Sequence, residues 1–236
     1  MIRIAITNPN TTAAMTEGIA RAARAAAAPD VEILAGQSRH GPDAIEGPFD
    51  GALAVPGMLS AMRRAQEAGA QAHVIACFDD TGLDAARAYL EGPVIGIGEA
   101  AMHVAALLGH RFAIVTTLTR SVPVLRDNAT RYGFADRCAN VLASDIPVLA
   151  LHDPASGACD AISDHIRAAK AGGAEAIVLG CAGMADFARA LEAEHGLPVV
   201  EGVGAAIGLA STLARQGAQT SRLGVWARPT RGHLVA

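Results

Sequence analysis

Aromatic residues are scarce, making up 3% of the 236-residue chain, with a single tryptophan. Stacking platforms for nucleic-acid bases are therefore not expected. Net charge is −4 and no basic tract occurs, which argues against nucleic acid as a partner. Lys170 is the only lysine and lies inside a helical pattern, so none is placed to hold pyridoxal phosphate. No Gly-x-x-x-x-Gly-Lys run is present, and Gly96-Ile97-Gly98 lacks the third glycine of a dinucleotide fingerprint. Cys-x-x-Cys and closely spaced Cys/His groups are missing, so a metal site is not expected. No apolar run reaches the roughly 18 residues of a membrane span. The start, Met1-Ile2-Arg3-Ile4-Ala5-Ile6, reads as a strand and lacks a signal-peptide layout. A cytoplasmic, cofactor-independent chain acting on a small molecule is the expectation carried forward.

What is present is a globular composition, 51% hydrophobic and 18% charged, long enough for one large domain or two smaller lobes. Four cysteines in such a chain read as free thiols. Two of them end matching apolar runs. Ala70-Gln71-Ala72-His73-Val74-Ile75-Ala76-Cys77 and Ala174-Glu175-Ala176-Ile177-Val178-Leu179-Gly180-Cys181 place their cysteines 104 residues apart. Each run reads as a buried strand, and a glycine follows each cysteine (Gly82, Gly183). Open α/β sheets hold their ligands at such strand ends.

The repeat extends further. Arg3-Ile4-Ala5-Ile6 matches Arg111-Phe112-Ala113-Ile114 at an offset of 108, and Pro93–Ala101 resembles Pro198–Ala206 at 105. Strands alternate with helices throughout, which predicts parallel sheets with helices on both faces. Helices are expected over Ala13–Ala28, Ala52–Ala68, Ala155–Ala171 and Ala185–Glu194. The glycine- and proline-bearing stretches Gly36–Asp50 and Ser144–Pro154 read as loops, the first long enough to suggest a function. The fold class expected is α/β, with two similar lobes facing each other across a cleft.

One thiol on each side of a cleft suits inversion of an acidic C–H centre. A thiolate removes the proton from one face, a thiol returns one from the other, and the roles then exchange. A helix N-terminus would lower a thiol pKa, whereas the carboxylates of Asp79 and Asp80 would raise it. Those two residues could also cap a helix or accept N–H groups from a substrate. The plainer alternative makes Cys77 and Cys181 small buried residues at strand ends. Asn8-Pro9-Asn10-Thr11-Thr12 reads as a turn leading into a helix cap, or as a turn presenting Asn10 to the cleft. Thr116 and Thr117 occupy the related turn of the second half. A non-catalytic binding protein and a thiol redox protein are the alternatives from other classes.

Asn8-Pro9-Asn10-Thr11-Thr12, Ala76-Cys77-Phe78-Asp79-Asp80-Thr81-Gly82-Leu83-Asp84 and Leu179-Gly180-Cys181-Ala182-Gly183-Met184 together resemble the hydantoin racemases of the aspartate/glutamate racemase superfamily. The resemblance runs from Ile2 to about Arg228. It implies two lobes related by pseudo-twofold symmetry, with the last helix returning to the first lobe. Lobe 1 would comprise residues 1–98 and about 205–225, lobe 2 about 99–204, and 226–236 a partly loose tail. It implies racemisation of 5-substituted hydantoins by proton transfer at C5, with Cys77 and Cys181 as the acid/base pair. Asn10, Ile45, Phe78, Asp79, Thr117 and the backbone of Gly180, Ala182 and Gly183 would line the pocket. Amino-acid racemases of the superfamily tend to carry Cys-Asn-Thr and Cys-Thr-Glu at the thiols. Cys-Phe-Asp and Cys-Ala-Gly here fit a neutral ring better. Allantoin is the nearest rival substrate, an amino acid a more distant one. A homo-oligomer is expected.

Overall fold

The structure, a computed structural model, describes residues 1–228. Of the expected tail, 229–236 therefore lie outside the described residues. Its start is held down: Trp226 donates from Nε1 to Asp84 Oδ1 at 3.2 Å, and the Arg87 guanidinium stacks 5.1 Å above the indole.

Short β-branched and aliphatic runs become strands, and each is followed by an alanine-rich helix. The first half runs β1 (Ile2–Asn8), α1 (Ala13–Ala26), β2 (Val31–Gln37), α2 (Pro48–Glu67), β3 (Ala72–Ile75), α3 (Leu83–Tyr89), β4 (Val94–Gly96) and α4 (Ile97–Leu108). The second half repeats the order with β5 (Phe112–Thr116), α5 (Val122–Arg131), β6 (Cys138–Ala143), α6 (Ala158–Ala171), β7 (Ala176–Leu179), α7 (Ala188–His195), β8 (Val199–Glu201) and α8 (Gly202–Arg215). Two four-stranded parallel sheets result, sheet A ordered β2-β1-β3-β4 and sheet B ordered β6-β5-β7-β8. The two halves therefore share one topology, as their offsets predict. Several helix boundaries differ from expectation by a few residues. α2 begins at Pro48, which occupies its first turn, and keeps Pro56 inside. Ser144–Pro154, read as loop, contains the 3-10 turn Val148–His152, and the helix expected from Ala155 begins only at Ala158, after a second 3-10 turn at Pro154–Ser156.

Parallel sheets need cover on both faces. On sheet A the outer face carries α2 and α3, where Met58, Met62, Leu83, Ala86 and Leu90 pack with Ile75. On sheet B the outer face is covered by α6 and α7 through Ile162, Ile166 and Leu191. The inner faces share one core between the sheets, joining Ile4, Ile6 and Val74 to Phe112, Ile114 and Val178. Its centre is the α4–α8 helix pair. Each of these helices follows the last strand of one sheet and then packs on the other. α4 leaves β4 and lies on β7 and β8, while α8 leaves β8 and lies on β3, β1 and β4.

Candidate active site

Strand order decides where the cleft forms. In sheet A the chain runs from β1 outward to β2, then returns to β3 on the other side of β1. Connections diverge at the β1/β3 boundary and leave a crevice at the carboxyl ends of those strands. Asn8 and Asn10 follow β1 there, and Cys77 follows β3. The equivalent switch in sheet B puts Thr116 and Thr117 after β5 beside Cys181 after β7. The two crevices meet in one cleft of about 430 Å³, counting its open mouth.

Of the residues expected at the site, Asn10, Ile45, Cys77, Phe78, Asp79, Thr116, Thr117, Gly180, Cys181 and Ala182 all line this cleft. Gly183 does not. It lies behind the Cys181 sulfur, against Leu151, and contributes its N–H to the sulfur. Asn8, Pro9, Met15, Ala76, Ser121 and Val148 complete the wall. In the sequence Asn8 and Pro9 belong to the turn before α1 and carry no further signal. Met15 and Val148 carried no signal, because only packing brings them to the cleft: with Ala44 they form a small apolar cluster against Cys181.

Several of these side chains are already committed to the protein. Thr116 donates its hydroxyl to the Gly180 carbonyl at 3.0 Å, tethering the end of β7. A Cβ at Gly180 would sit 2.8 Å from the Thr116 side chain, so only glycine permits that approach. Asn10 Oδ1 accepts from Asn8 Nδ2 at 2.8 Å and from the Thr12 N–H at 3.0 Å. The backbone donor at Thr12 fixes which end of the amide is oxygen. Asn10 Nδ2 is then left with only the weakly accepting Met15 sulfur at 3.4 Å, and is free to donate to a ligand. Thr12 does not cap α1. Its hydroxyl donates to the Asp43 carbonyl at 2.7 Å and ties down the long loop. Val148 N donates to Glu46 Oε1 at 3.2 Å, joining that loop to the opposite lobe over the cleft.

Cys77 and Cys181 are free thiols. Burial pushes both up, Cys181 to about 11 and Cys77 further, and the Asp79 carboxylate adds to the rise in each. The Thr81 hydroxyl, 3.5 Å from the Cys77 sulfur, and the Gly183 N–H at Cys181 pull the other way without prevailing. Of the two influences foreseen from sequence, the carboxylate acts on both thiols. Asp79 itself is lifted by burial to about 6. Asp80 has a different task. It accepts from the Gly98 N–H at 3.0 Å and the Glu99 N–H at 2.7 Å, capping α4 rather than the helix that follows it. A Cβ on Gly96 would lie 2.0 Å from Asp80 Oδ1, and one on Gly98 would lie 2.3 Å from the Phe78 carbonyl. Gly96-Ile97-Gly98 is therefore small to admit this cap. Among the described residues no group of three or more His, Cys, Asp or Glu side chains converges as metal ligands.

The geometry offers two proton-carrying groups from opposite lobes, one carboxylate that acts on both, and a free amide donor. Comparison with known proteins narrows the class. A model of the Asp/Glu/Hydantoin racemase family matches residues 4–210. The hydantoin racemase of Rhizobium meliloti is 43% identical over 239 aligned positions, covering 99% of each chain. An allantoin racemase from Klebsiella pneumoniae superposes with a TM-score of 0.96 at 48% identity, covering 99% of this chain and 96% of that one. A second allantoin racemase, from Pseudomonas fluorescens, gives a TM-score of 0.94 at 36% identity over the full length of both. Two lobes of one topology, paired cysteine loops at their switch points and end-to-end likeness to racemases carry one conclusion: the chain belongs to the Asp/Glu/hydantoin racemase family and is a racemase.

Proposed function

We propose that this racemase inverts 5-substituted hydantoins by moving a proton at C5 between Cys77 and Cys181, with no cofactor. One observation carries the reading: the cleft is lined by two thiols and one carboxylate, and no Lys, Arg or His is among the lining residues. An amino-acid substrate would bring carboxylates that Asp79 repels and no cationic side chain neutralises. A hydantoin ring is neutral and presents N–H groups that a buried carboxylate accepts strongly. With Asp79 near 6, its ionised form prevails at pH 7.

The chemistry follows. A thiolate on one face takes the proton from C5, and the bonding pair moves into the C4 carbonyl to give an enolate. The opposite thiol then delivers its proton to C5 as the pair returns. The product is the mirror image, and thiol and thiolate have exchanged places. Asn10 Nδ2 is available to hold the developing enolate oxygen. Raised thiol pKa values reduce the thiolate population but make each thiolate a stronger base toward a weak carbon acid.

Likeness to the allantoin racemases supports a second substrate, allantoin, whose ring would meet the same groups. The Met15–Ala44–Val148 cluster beside Cys181 favours an apolar 5-substituent over a ureido group, which would lose hydrogen bonds there. The division into a lobe of residues 1–98 with about 205–225 and one of about 99–204 belongs to the proposal, supported by the packing of α4 and α8. The deciding experiment is polarimetry on each enantiomer of 5-isobutyl- and 5-benzylhydantoin and of allantoin, with Cys77→Ser and Cys181→Ser alongside and a chelator arm. Both hydantoins should racemise, the chelator should change nothing, and each serine variant should lose racemisation. Racemisation that survives either substitution would overturn the two-thiol mechanism.

A further inference from the structure

The two cysteine loops are held in different ways. After β3, residues 77–81 are gripped from the opposite lobe by α5. Asn128 Nδ2 donates to the Asp79 carbonyl at 3.0 Å, and the Tyr132 hydroxyl donates to Asp80 Oδ2 at 2.7 Å. Asn128 is buried, and Tyr132 lies one turn further on, just past the last residue of α5. Asp80 is also fixed by the Gly98 and Glu99 N–H groups, and its φ of 52° lies in the left-handed region that side chains seldom adopt. Such a conformation persists only where its surroundings over-determine it. The strained residue is thus held by three donors, one of them from α5, and stands three positions from the Cys77 sulfur.

The pseudo-symmetric arrangement at Cys181 lacks this grip. The offset of 108 puts Ala20 and Arg24 of α1 where α5 has Asn128 and Tyr132. There α1 packs on the turn after Cys181, and Met15, Gly18 and Ile19 line a small cavity with Ala182, Gly183, Ala185 and Asp186. The polar link from α1 to that loop is the exposed Arg21–Asp186 pair at 3.5 Å.

We propose that Asn128 and Tyr132 are positioning residues for one half of the reaction: from lobe 2 they hold the Cys77–Asp80 loop of lobe 1 so that the Cys77 sulfur meets C5, while Cys181 works without them. The catalytic part rests on the two-thiol reading above. Acid/base groups must be placed within about 0.5 Å of productive geometry, and a misplacement of about 1 Å can cost on the order of 100-fold in rate. Freed of its α5 donors, the loop relaxes around Asp80 and the Cys77 sulfur moves with it. The Cys181 sulfur follows a strand end tethered by Thr116 within its own lobe and keeps its place.

The test uses Asn128→Ala and Tyr132→Phe, the second a deletion of one hydroxyl that keeps the ring packed, with thermal melts confirming folded protein. Each is placed in a Cys181→Ser background, where Cys77 alone exchanges the C5 hydrogen of one enantiomer with deuterated water. Each is also placed in a Cys77→Ser background, where Cys181 exchanges the other enantiomer. Exchange should slow by about 10- to 100-fold in the first background and stay within about threefold of its parent in the second. Equal slowing in both backgrounds, or none in either, would overturn the inference, because a merely structural clamp between lobes affects both halves alike. Iodoacetamide labelling of the full-thiol enzyme, followed by mass spectrometry, reads the same loop without substrate. Cys77 labelling should change several-fold in each variant and Cys181 labelling should not, and unchanged Cys77 labelling would refute the positioning. Absence of exchange in both parent backgrounds would instead refute the two-thiol reading and the catalytic part with it, leaving the labelling to decide whether α5 positions the loop.

Discussion

Replacing His73 by leucine should stabilise this protein, and more so in acid. His73 sits in the middle of sheet A, between Ala5 of β1 and Val94 of β4, and is wholly buried. Neither ring nitrogen has a hydrogen-bond partner. A neutral imidazole carries one donor and one acceptor, and an unsatisfied buried polar group costs about 1–3 kcal/mol. Burial also drives the pKa of His73 from 6.5 to about 4. Between those values the unfolded chain holds the proton and the folded chain does not, so stability falls as pH falls through that window. At about 1.4 kcal/mol per tenfold, the whole gap amounts to roughly 3 kcal/mol. Leucine nearly conserves the volume and removes both orphaned nitrogens. The expected gain at pH 7.5 is about 1–3 kcal/mol, or roughly 3–9 °C in Tm for a chain of this length. At pH 4.5 the advantage should widen by about 2 kcal/mol. Calorimetric melts of parent and variant at the two pH values measure it, since the carboxylates titrating in this range are common to both proteins. A variant that melts at or below the parent at pH 7.5, or an advantage that does not grow in acid, would refute the reasoning.

Asp79→Asn should shift the alkylation profiles of Cys77 and Cys181 to lower pH together, because the carboxylate raises both thiols. It should also raise KM for a hydantoin by about 10- to 100-fold, the worth of one hydrogen bond to a charged group; unshifted profiles would separate Asp79 from the thiols. Gly96→Ala drives a methyl group into the Asp80 carboxylate and should cost about 1–3 kcal/mol in urea melts, and a neutral result would mean that Asp80 does not need this approach to cap α4.

Both thiols were legible because each ends an apolar run that periodicity alone marks as a buried strand, and the runs recur at a nearly constant offset. Parallel pairing followed from strands alternating with helices, because it requires a crossover, whereas the order of the strands was not legible. Residues that reach the cleft from elsewhere were not legible. Val148 belongs to a proline-bearing stretch without period, and Met15 looks like any buried residue of α1. Asp80 was misleading for a related reason. A carboxylate ahead of a helix suggests a cap for that helix, but this one turns through positive φ and caps a helix 18 residues later. The glycines at 96 and 98 then resemble a fragment of a nucleotide motif, when their smallness answers a side chain invisible in local sequence. The onset of α2 was available in Pro48, whose ring suits a first helical turn, and was obscured by Pro56 further in.

The exchange of α4 and α8 bears on how such a chain could have arisen. A single half, 108 residues ending in its own crossed-over helix, has a sheet whose inner face that helix does not cover. Two copies of such a half would clasp each other reciprocally, each lending its last helix to its twin and each placing one thiol at the shared crevice. Gene duplication and fusion of that pair gives the present connectivity with one linker, at Gly109–Arg111, and no rearrangement of strands. In a fused chain the two halves of the shared site are free to differ, as the loop at Cys77, hydrogen-bonded to the opposite lobe, and the loop at Cys181 do here.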